Sequence, residues 1–305
     1  MNKKTIFTLL ALFIVLAFFV AYPSIRKRIS KGPDPALAAE LNLTSITLES
    51  TDRFEIKTPQ EDKQFSKDNG KWKVNGLDAS PKEIDDFFGN IKKLKVESQA
   101  SKNRDNHKSY GITEEEGALL SFTQGSATIA YIVGKSANFG DGFYMRKKDG
   151  DNVYVVSGAT LSSEIFQTAY SWRDKTIIDV SKDDLQKIEI MTGQSTTTVS
   201  KTTEGKWQIQ KNDQTTVLED ALVEKMHMLL NPLIASSFLS DVEIAEFNSV
   251  PGKTKIRIYS YDGGQLAELE ALQKEDSWQV KVSGKDIVYT VAGTTFSDVF
   301  SSLMK

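Results

Sequence analysis

The sequence predicts an α+β protein in which an N-terminal transmembrane helix is followed by two tandem similar modules, each an antiparallel sheet with two helices. Three observations lead to this prediction. An uncharged apolar run lies near the N-terminus, short segments of alternating polarity separated by turn residues fill most of the remaining chain, and the second half repeats the first. Closely spaced strands joined by short turns form an antiparallel sheet, because parallel strands need long crossover connections.

The internal repeat is visible as two pairs of matching segments at one offset. Residues 70–74, Gly-Lys-Trp-Lys-Val, return at 205–209 as Gly-Lys-Trp-Gln-Ile. Residues 153–158, Val-Tyr-Val-Val-Ser-Gly, return at 288–293 as Val-Tyr-Thr-Val-Ala-Gly. Both pairs are 135 positions apart. Since an internal repeat fixes the architecture, we predict one module over residues 41–175 and a second over 176–305.

Residues 1–31 are predicted to form a short cytoplasmic tip, a transmembrane anchor and a basic flank. Residues 5–22 carry no charged side chain, and a helix of that length is about 27 Å long, which is enough to cross the core of a bilayer. Its large apolar side chains favour insertion by about 4 to 7 kcal/mol. These side chains are Ile6, Phe7, Leu9, Leu10, Leu12, Phe13, Ile14, Val15, Leu16, Phe18, Phe19 and Val20.

The anchor is predicted to remain uncleaved, because residues 19–23 lack the small residues at alternate positions that a signal peptidase requires. Positive charges flank both ends of the run, so they do not decide on which side of the membrane the body lies. Residues 32–40 are predicted to be a tether, because Gly32, Pro33 and Pro35 discourage regular structure.

The first module should contain one well-defined helix near its middle and a second at its end. Ser80 is a natural N-cap, Pro81 occupies the first helical position and Glu83 completes a capping box. Apolar residues follow at helical spacing, and a second helix is expected over 159–171. Alternating polarity predicts strands over 46–49, 54–57, 72–74, 119–122, 128–133, 143–146 and 153–156.

The second module repeats these elements in the same order. Helices are predicted near 217–230 and from Phe296 to the C-terminal end, where apolar residues recur at helical spacing. Strands are predicted over 188–190, 196–200, 207–209, 255–259, 266–272, 278–282 and 288–291.

Composition narrows the function classes. The formal net charge of −3 argues against a nucleic-acid partner, which requires clustered basic residues. The absence of cysteine excludes disulfides, thiolate metal sites and a lipidated N-terminal cysteine. His107 and His227 have no second histidine at ligand spacing, and we expect both at surface or boundary positions. We therefore predict no catalytic residue, no metal site and no cofactor.

Two polar stretches have both a structural and a functional interpretation. Residues 114–116, three consecutive glutamates, resemble a catalytic cluster, but Thr113 with Glu116 forms a capping box for a short turn, which is the favoured interpretation. The stretch Trp172, Arg173, Asp174 and Lys175 lies where the two repeats meet. We expect it to hold one module against the other, with a surface for a partner protein as the alternative.

Several motifs together resemble the bacterial family called domain of unknown function 4340. They are Gly70–Val74, Tyr110–Ile112, Gly134-Lys135, Tyr144–Arg146, Val153–Val156 and Trp172–Lys175. The resemblance implies a membrane-anchored protein with an extracytoplasmic body, encoded beside a gliding-type ABC transporter. It places the body on the periplasmic or extracytoplasmic side of the bacterial inner membrane, and it supplies no catalytic residues.

These observations favour a non-catalytic, single-pass accessory or scaffold protein. Its expected partners are the lipid bilayer, through the N-terminal helix, and an ABC transporter permease or auxiliary subunit. The alternative is an extracytoplasmic module that binds an envelope polymer or a small ligand between the two repeats, because clefts between modules are common ligand sites.

Overall fold

Each half of the chain forms one large antiparallel sheet. The computed structural model describes residues 35–137, 142–159 and 161–304. Within them the chain divides into two units between Asp174 and Lys175, and each unit contains one nine-stranded sheet in which all neighbouring strands run antiparallel. The protein is therefore α+β and dominated by antiparallel sheet.

In the described residues, the first unit contains four helices and nine strands. The helices are α1 (Pro35–Leu41), α2 (Pro81–Lys93), α3 (His107–Tyr110) and α4 (Leu161–Phe166), with 3-10 turns at Leu43–Ser45, Arg104–Asn106 and Ala169–Trp172. The strands are β1 (Arg53–Lys57), β2 (Asp62–Asp68), β3 (Lys71–Val74), β4 (Leu77–Asp78), β5 (Lys95–Ser101), β6 (Ala118–Gln124), β7 (Ala127–Ser136), β8 (Phe143–Lys147) and β9 (Val153–Ser157).

The described part of the second unit contains three helices and eleven strands. The helices are α5 (Asp220–Leu230), α6 (Asp241–Ser249) and α7 (Gly293–Met304). The strands are β10 (Thr176–Ile178), β11 (Lys187–Thr192), β12 (Ser195–Lys201), β13 (Trp207–Lys211), β14 (Gln214–Val217), β15 (Leu233–Ile234), β16 (Ser237–Phe238), β17 (Thr254–Tyr259), β18 (Gln265–Lys274), β19 (Ser277–Val282) and β20 (Val288–Ala292). Strands β10 and β15 form a separate two-stranded sheet.

The two large sheets have the same strand order. In the first it is β4-β3-β2-β1-β6-β7-β8-β9-β5, and in the second it is β14-β13-β12-β11-β17-β18-β19-β20-β16. Each strand of one sheet therefore has a counterpart in the other. Trp72 and Trp207, which mark the repeat in the sequence, both lie on the third strand with their side chains buried.

A second marker of the repeat has a steric explanation. A Cβ atom at Gly158 would lie 2.4 Å from the carbonyl oxygen of Lys93, and one at Gly293 would lie 2.0 Å from that of Asp276. Only glycine permits such a close approach of backbone to backbone. The repeated glycine is thus a packing requirement of the strand-to-helix connection in both modules.

The core of the first module lies between its sheet and α2. The hydroxyl of Ser80 accepts a hydrogen bond from the backbone N–H of Glu83, and Pro81 begins the helix, as predicted. The predicted apolar face is buried at Ile84, Phe87, Phe88 and Ile91. Below it, the ring of Phe54 stacks on that of Phe65 with centroids 4.0 Å apart. Aromatic burial of this kind is the main stabilising contribution to such a core.

Residues at the start of the first unit differ from the prediction. The strand predicted over 46–49 is wrong: Thr47 and Ser50 exchange side-chain and backbone hydrogen bonds in a turn, and such local bonds compete with strand pairing. Part of the predicted tether is helical, since α1 begins at Pro35, where a helix tolerates proline. The carbonyl of Leu41 accepts a 2.7 Å hydrogen bond from the hydroxyl of Tyr131 and joins this helix to the sheet.

The closing helices of the two modules differ in length, and a buried lysine side chain bonds the end of the shorter one. Lys63 is fully buried, and its ammonium donates 2.6 Å hydrogen bonds to the carbonyls of Ile165 and Gln167 at the end of α4. The counterpart of Lys63 on β12 is Thr197, because Ile56 pairs with Lys63 as Ile190 pairs with Thr197. Helix α4 ends at Phe166, short of the predicted 159–171, whereas α7 continues for 12 residues.

Two further differences occur in the second unit. The helix predicted near 217–230 begins only at Asp220, because Gln214–Val217 form a strand. Helix α6 was not predicted, although its signal is present in the sequence: Ser240 and Glu243 form a complete capping box. This helix exposes most of its side chains and buries Phe247, so it lacks the wide apolar face by which helices are recognised.

Among the described residues, no helix is both long enough and apolar enough to cross a membrane. The predicted anchor, Ile6 to Val20, lies outside the described residues.

Replacing Lys63 by Met should destabilise the first module by about 2 to 4 kcal/mol, because one buried and one part-buried carbonyl group lose their hydrogen-bond donor. Urea unfolding, followed by hydrogen exchange of peptides from the first module, measures this change. Lys71→Met, an exposed lysine on the neighbouring strand, is the matched control. Equal effects of the two substitutions would contradict the assigned role of Lys63.

Candidate binding surface

The outward face of the first sheet carries a polar groove. Along β1 the side chains alternate: Phe54 and Ile56 point into the core, while Arg53 and Glu55 lie on the opposite face. The register places Arg53 opposite Ser66 on β2 and Thr123 on β6. It places Glu55 opposite Gln64 and Ser121. The strand pairing thus gathers short polar side chains around one arginine and one glutamate.

This groove consists of two adjoining cavities that share Glu55, and we call it the outer groove. One cavity has a volume of about 450 Å³ and the other about 350 Å³. The residues that line the first are Arg53, Phe54, Glu55, Gln64, Phe65, Ser66, Lys67, Asn75, Gly76, Ser121 and Thr123. Those that line the second are Glu55, Lys57, Thr58, Pro59, Glu114, Glu115, Gly117, Leu119, Ile132 and Lys148.

The same face of the second sheet is filled by ion pairs. Arg257 and Tyr259 occupy the positions of Ser121 and Thr123, because Ile188 pairs with Ile258 as Phe54 pairs with Phe122. Arg257 donates to Glu268 at 2.6 Å. Glu189 accepts from Lys187 and from the hydroxyl of Tyr259, both at 2.9 Å. These long side chains cover the face, and their charged groups are paired with one another.

Short side chains explain why the first sheet has a groove where the second does not. Ser121 and Thr123 have short side chains, which leave space above the sheet. Among the described residues, Arg53 beside them lacks an ion-pair partner of the kind that the second module supplies. Within the described part of the chain, the guanidinium of Arg53 makes no ion pair or hydrogen bond, and neither do the side chains of Gln64, Ser66 and Ser121. By contrast, Lys67 is fixed, because its ammonium donates to the carbonyl of Leu48 at 2.9 Å.

The glutamates at the far end of the outer groove belong to a turn. The hydroxyl of Thr113 accepts from the backbone N–H of Glu116 at 3.2 Å, which is one half of the predicted capping box. Hydrogen bonds from its own backbone N–H and from Thr113 lower the pKa of Glu115. A carboxyl with a lowered pKa is a poor general acid near neutral pH, so this geometry fits a capped turn with exposed charge.

The stretch at the module junction is divided between the two units. Trp172 is completely buried in the core of the first, where its ring meets those of Phe65 and Phe87 edge-on at 4.9 and 5.3 Å. Arg173 pairs with Ala79 in an antiparallel bridge, and Asp174 donates from its backbone N–H to the carbonyl of Asp78. The carbonyl of Lys175 accepts from the N–H of Ala235 in the second unit.

Both histidines are buried, contrary to the expected surface or boundary positions. One ring nitrogen of His107 lies 3.0 Å from the carbonyl oxygen of Asp151. The ring of His227 packs edge-on against Trp207 at 5.6 Å, and burial lowers its pKa. Contact with Trp207 accounts for the position of His227, and contact with the carbonyl of Asp151 accounts for that of His107. In the described ranges, no group of three or more acidic or histidine side chains is arranged to hold a metal ion.

One perturbed carboxyl was missed by sequence reasoning. Glu164 on α4 is half-buried, and its Oε1 accepts from the side-chain amide of Asn90 on α2 at 2.6 Å. Its Oε2 is buried and has no partner among the described residues. Burial is the largest cause that raises the pKa of Glu164, and the charges of Asp86 and Glu83 add to it. The contact between α2 and α4 is therefore favoured by the protonated carboxyl.

Because the folded protein holds this proton more tightly than the unfolded chain, the stability contributed by Glu164 is present below pH 4.5 and is lost as the pH rises through its raised pKa. Glu164→Gln, which stays neutral, should remove this loss, so the variant should gain stability relative to wild type as the pH rises. Thermal unfolding midpoints between pH 4 and 8 test this. Glu204→Gln, at an exposed turn, is the control; parallel profiles for wild type and Glu164→Gln would contradict the assignment.

The family model described as "Domain of unknown function (DUF4340)" matches residues 72–255, which is more than half of the chain and includes parts of both modules. No curated protein matches the chain. No solved structure matches it either. The resemblance found in the sequence motifs is therefore confirmed, and the chain belongs to the DUF4340 family.

Proposed function

We propose that the protein is a non-catalytic, single-pass accessory or scaffold protein of the bacterial inner membrane that associates with a gliding-type ABC transporter. Its body lies on the extracytoplasmic side and acts through protein contacts, with the permease or an auxiliary subunit as partner. The apolar run over residues 5–22 supports the anchor, and the features that the family resemblance implies support the side and the partner.

The outer groove is the observation that carries the protein-contact part of this proposal. Pockets for small ligands are enclosed and mostly apolar. The outer groove is shallow instead, and polar side chains such as Arg53, Glu55, Gln64 and Ser121 line it. The rings of Phe54 and Phe65 beside it are buried in the core and unavailable for stacking on a sugar. Protein interfaces accommodate such polar surfaces and are enriched in arginine.

The contrast between the modules strengthens this argument. Both sheets have one strand order, so their outward faces began as equivalent surfaces. In the second module Arg257 pairs with Glu268 and Lys187 with Glu189, whereas Arg53 has no such partner in the described residues. A partner that supplies acceptors for Arg53 gains a charge-assisted hydrogen bond without breaking an internal one.

The association is tested by extracting native membranes in a mild detergent, purifying the full chain through a C-terminal tag and identifying the retained proteins by mass spectrometry. We expect a permease and an ATPase in near-stoichiometric amounts. Recovery of the chain alone, also after chemical cross-linking, would reject the accessory role and direct attention to a ligand of the body.

Reversing the charge of Arg53 should weaken the association. With Arg53→Glu, recovery of the transporter should fall about tenfold, which corresponds to about 1.4 kcal/mol of binding free energy. The free energy of unfolding should change by less than about 0.5 kcal/mol, because the side chain is exposed. Lys102→Glu, the same reversal at an exposed site outside the outer groove, is the control and should leave recovery unchanged. Equal recovery with both variants would remove the outer groove from the interface.

A further inference from the structure

The two large sheets have four edges, and three of them are protected. Strand β4 is covered by the segment Trp172–Asp174. Strand β5 carries two irregularities in its pairing with β9, together with charged side chains at Lys95 and Glu97. Strand β16 is only two residues long. Covering, bulges, charge and shortness are the ways in which proteins prevent unwanted pairing at sheet edges.

The fourth edge, β14, has none of these protections. Its residues Gln214, Thr215, Thr216 and Val217 are uncharged, include no proline and are all exposed. No strand of the described chain pairs with its outer side, because β14 ends the strand order of its sheet. An uncharged, β-branched edge of this kind is a template for an added strand.

The register shows which backbone groups face outward. Leu218 donates from its N–H to the carbonyl of Trp207 at 2.9 Å, and Thr216 stands opposite Ile209. Since hydrogen-bonded and non-bonded pairs alternate along an antiparallel ladder, the N–H and C=O groups of Thr215 and Val217 point away from β13.

In the first module the equivalent edge strand, β4, is paired with another segment of the chain. There Ala79 donates to the carbonyl of Trp72 at 2.9 Å, as Leu218 does to Trp207. The outward carbonyl of Asp78 then accepts from the N–H of Asp174 at 2.9 Å, and the N–H of Ser80 donates to the carbonyl of Trp172 at 2.8 Å. An extended segment thus lies along β4 in the antiparallel direction.

Ala79 and Leu218 are equivalent, because each donates to the carbonyl of the tryptophan on the neighbouring strand. The residues before them, Asp78 and Val217, therefore correspond, and so do the residues after them, Ser80 and Glu219. The described residues provide no backbone partner for the carbonyl of Val217 or the N–H of Glu219. The apolar surface nearby is also less covered. Val223, the fourth residue of α5, is half-buried, whereas Ile84, the fourth residue of α2, is only 1% exposed.

We propose that the outer edge of β14 is a strand-addition site, which takes an extended segment of a partner protein in the antiparallel direction. The outward groups of Thr215 and Val217 supply the backbone hydrogen bonds, and the exposed side of Val223 selects an apolar side chain on the segment. The identity of the partner as a transporter subunit rests on the proposed function; the mode of binding does not.

The test compares two substitutions at one position. Thr215→Pro removes an outward N–H while leaving the bonds to β13 intact, and proline is tolerated on the open side of an edge strand. Thr215→Val keeps the N–H and is the matched control. Full-length chains are purified from native membranes, and the permease and ATPase retained with each are quantified by mass spectrometry. We expect at least a tenfold loss with Thr215→Pro, no loss with Thr215→Val, and unfolding midpoints for both that stay near that of wild type.

Equal recovery of the transporter with Thr215→Pro and wild type would overturn the strand-addition site and leave the proposed function standing. If wild type retains no transporter, the proposed function fails, and a second measurement decides about the edge. Hydrogen exchange of the β14 peptide is compared between the chain in nanodiscs cut from native membranes and the purified chain in detergent. At least tenfold slower exchange in the nanodiscs supports strand addition; equal exchange in both overturns it.

Discussion

A large antiparallel sheet must bury one face, and the rest of the first module is arranged around that requirement. Phe54, Phe65 and Phe87 fill the space between the sheet and α2, and Trp172 closes it from the side. Because Trp172 enters this core, the residues after it run along β4 and cover the edge of the sheet. One buried ring therefore links the packing of the core to the protection of the edge.

Elements with a strong local pattern were predictable from the sequence. Helix α2 carries its cap, its proline and its apolar face in the sequence, and the structure contains all three. The four successive strands β6 to β9 also lie where they were predicted. The common strand order agrees with the repeat that the two tryptophans mark.

Features that depend on distant contacts were not predictable. The end of α4 is hydrogen-bonded to Lys63, which lies about a hundred positions earlier in the chain and gives no sign of burial in its local sequence. Residues 46–49 alternate like a strand, but the hydroxyls of Thr47 and Ser50 bond their own backbone instead. The outer groove depends on which residues stand opposite Arg53 across two strand pairings, and only the register reveals this.

In the two modules, the buried faces of the sheets are similar and the outward faces differ. The buried faces of both sheets keep the same strand order and the same tryptophan and glycine positions. Their outward faces have diverged: one is closed by Arg257, Tyr259 and their partners, and the other is lined by serine, threonine and glutamine. Polar side chains on an outward face do not contribute to the core, so these positions are free to change while the fold is retained.

The position of Trp172 also determines where the chain can be cut. The compact units meet after Asp174, yet the last regular helix of the first unit ends eight residues earlier, at Phe166. A fragment trimmed to that helix would lose an indole from its interior and both hydrogen bonds that shield its outermost strand. Such a fragment would expose the unpaired edge of β4 and self-associate through it. The connecting residues therefore belong to the folding unit that they follow.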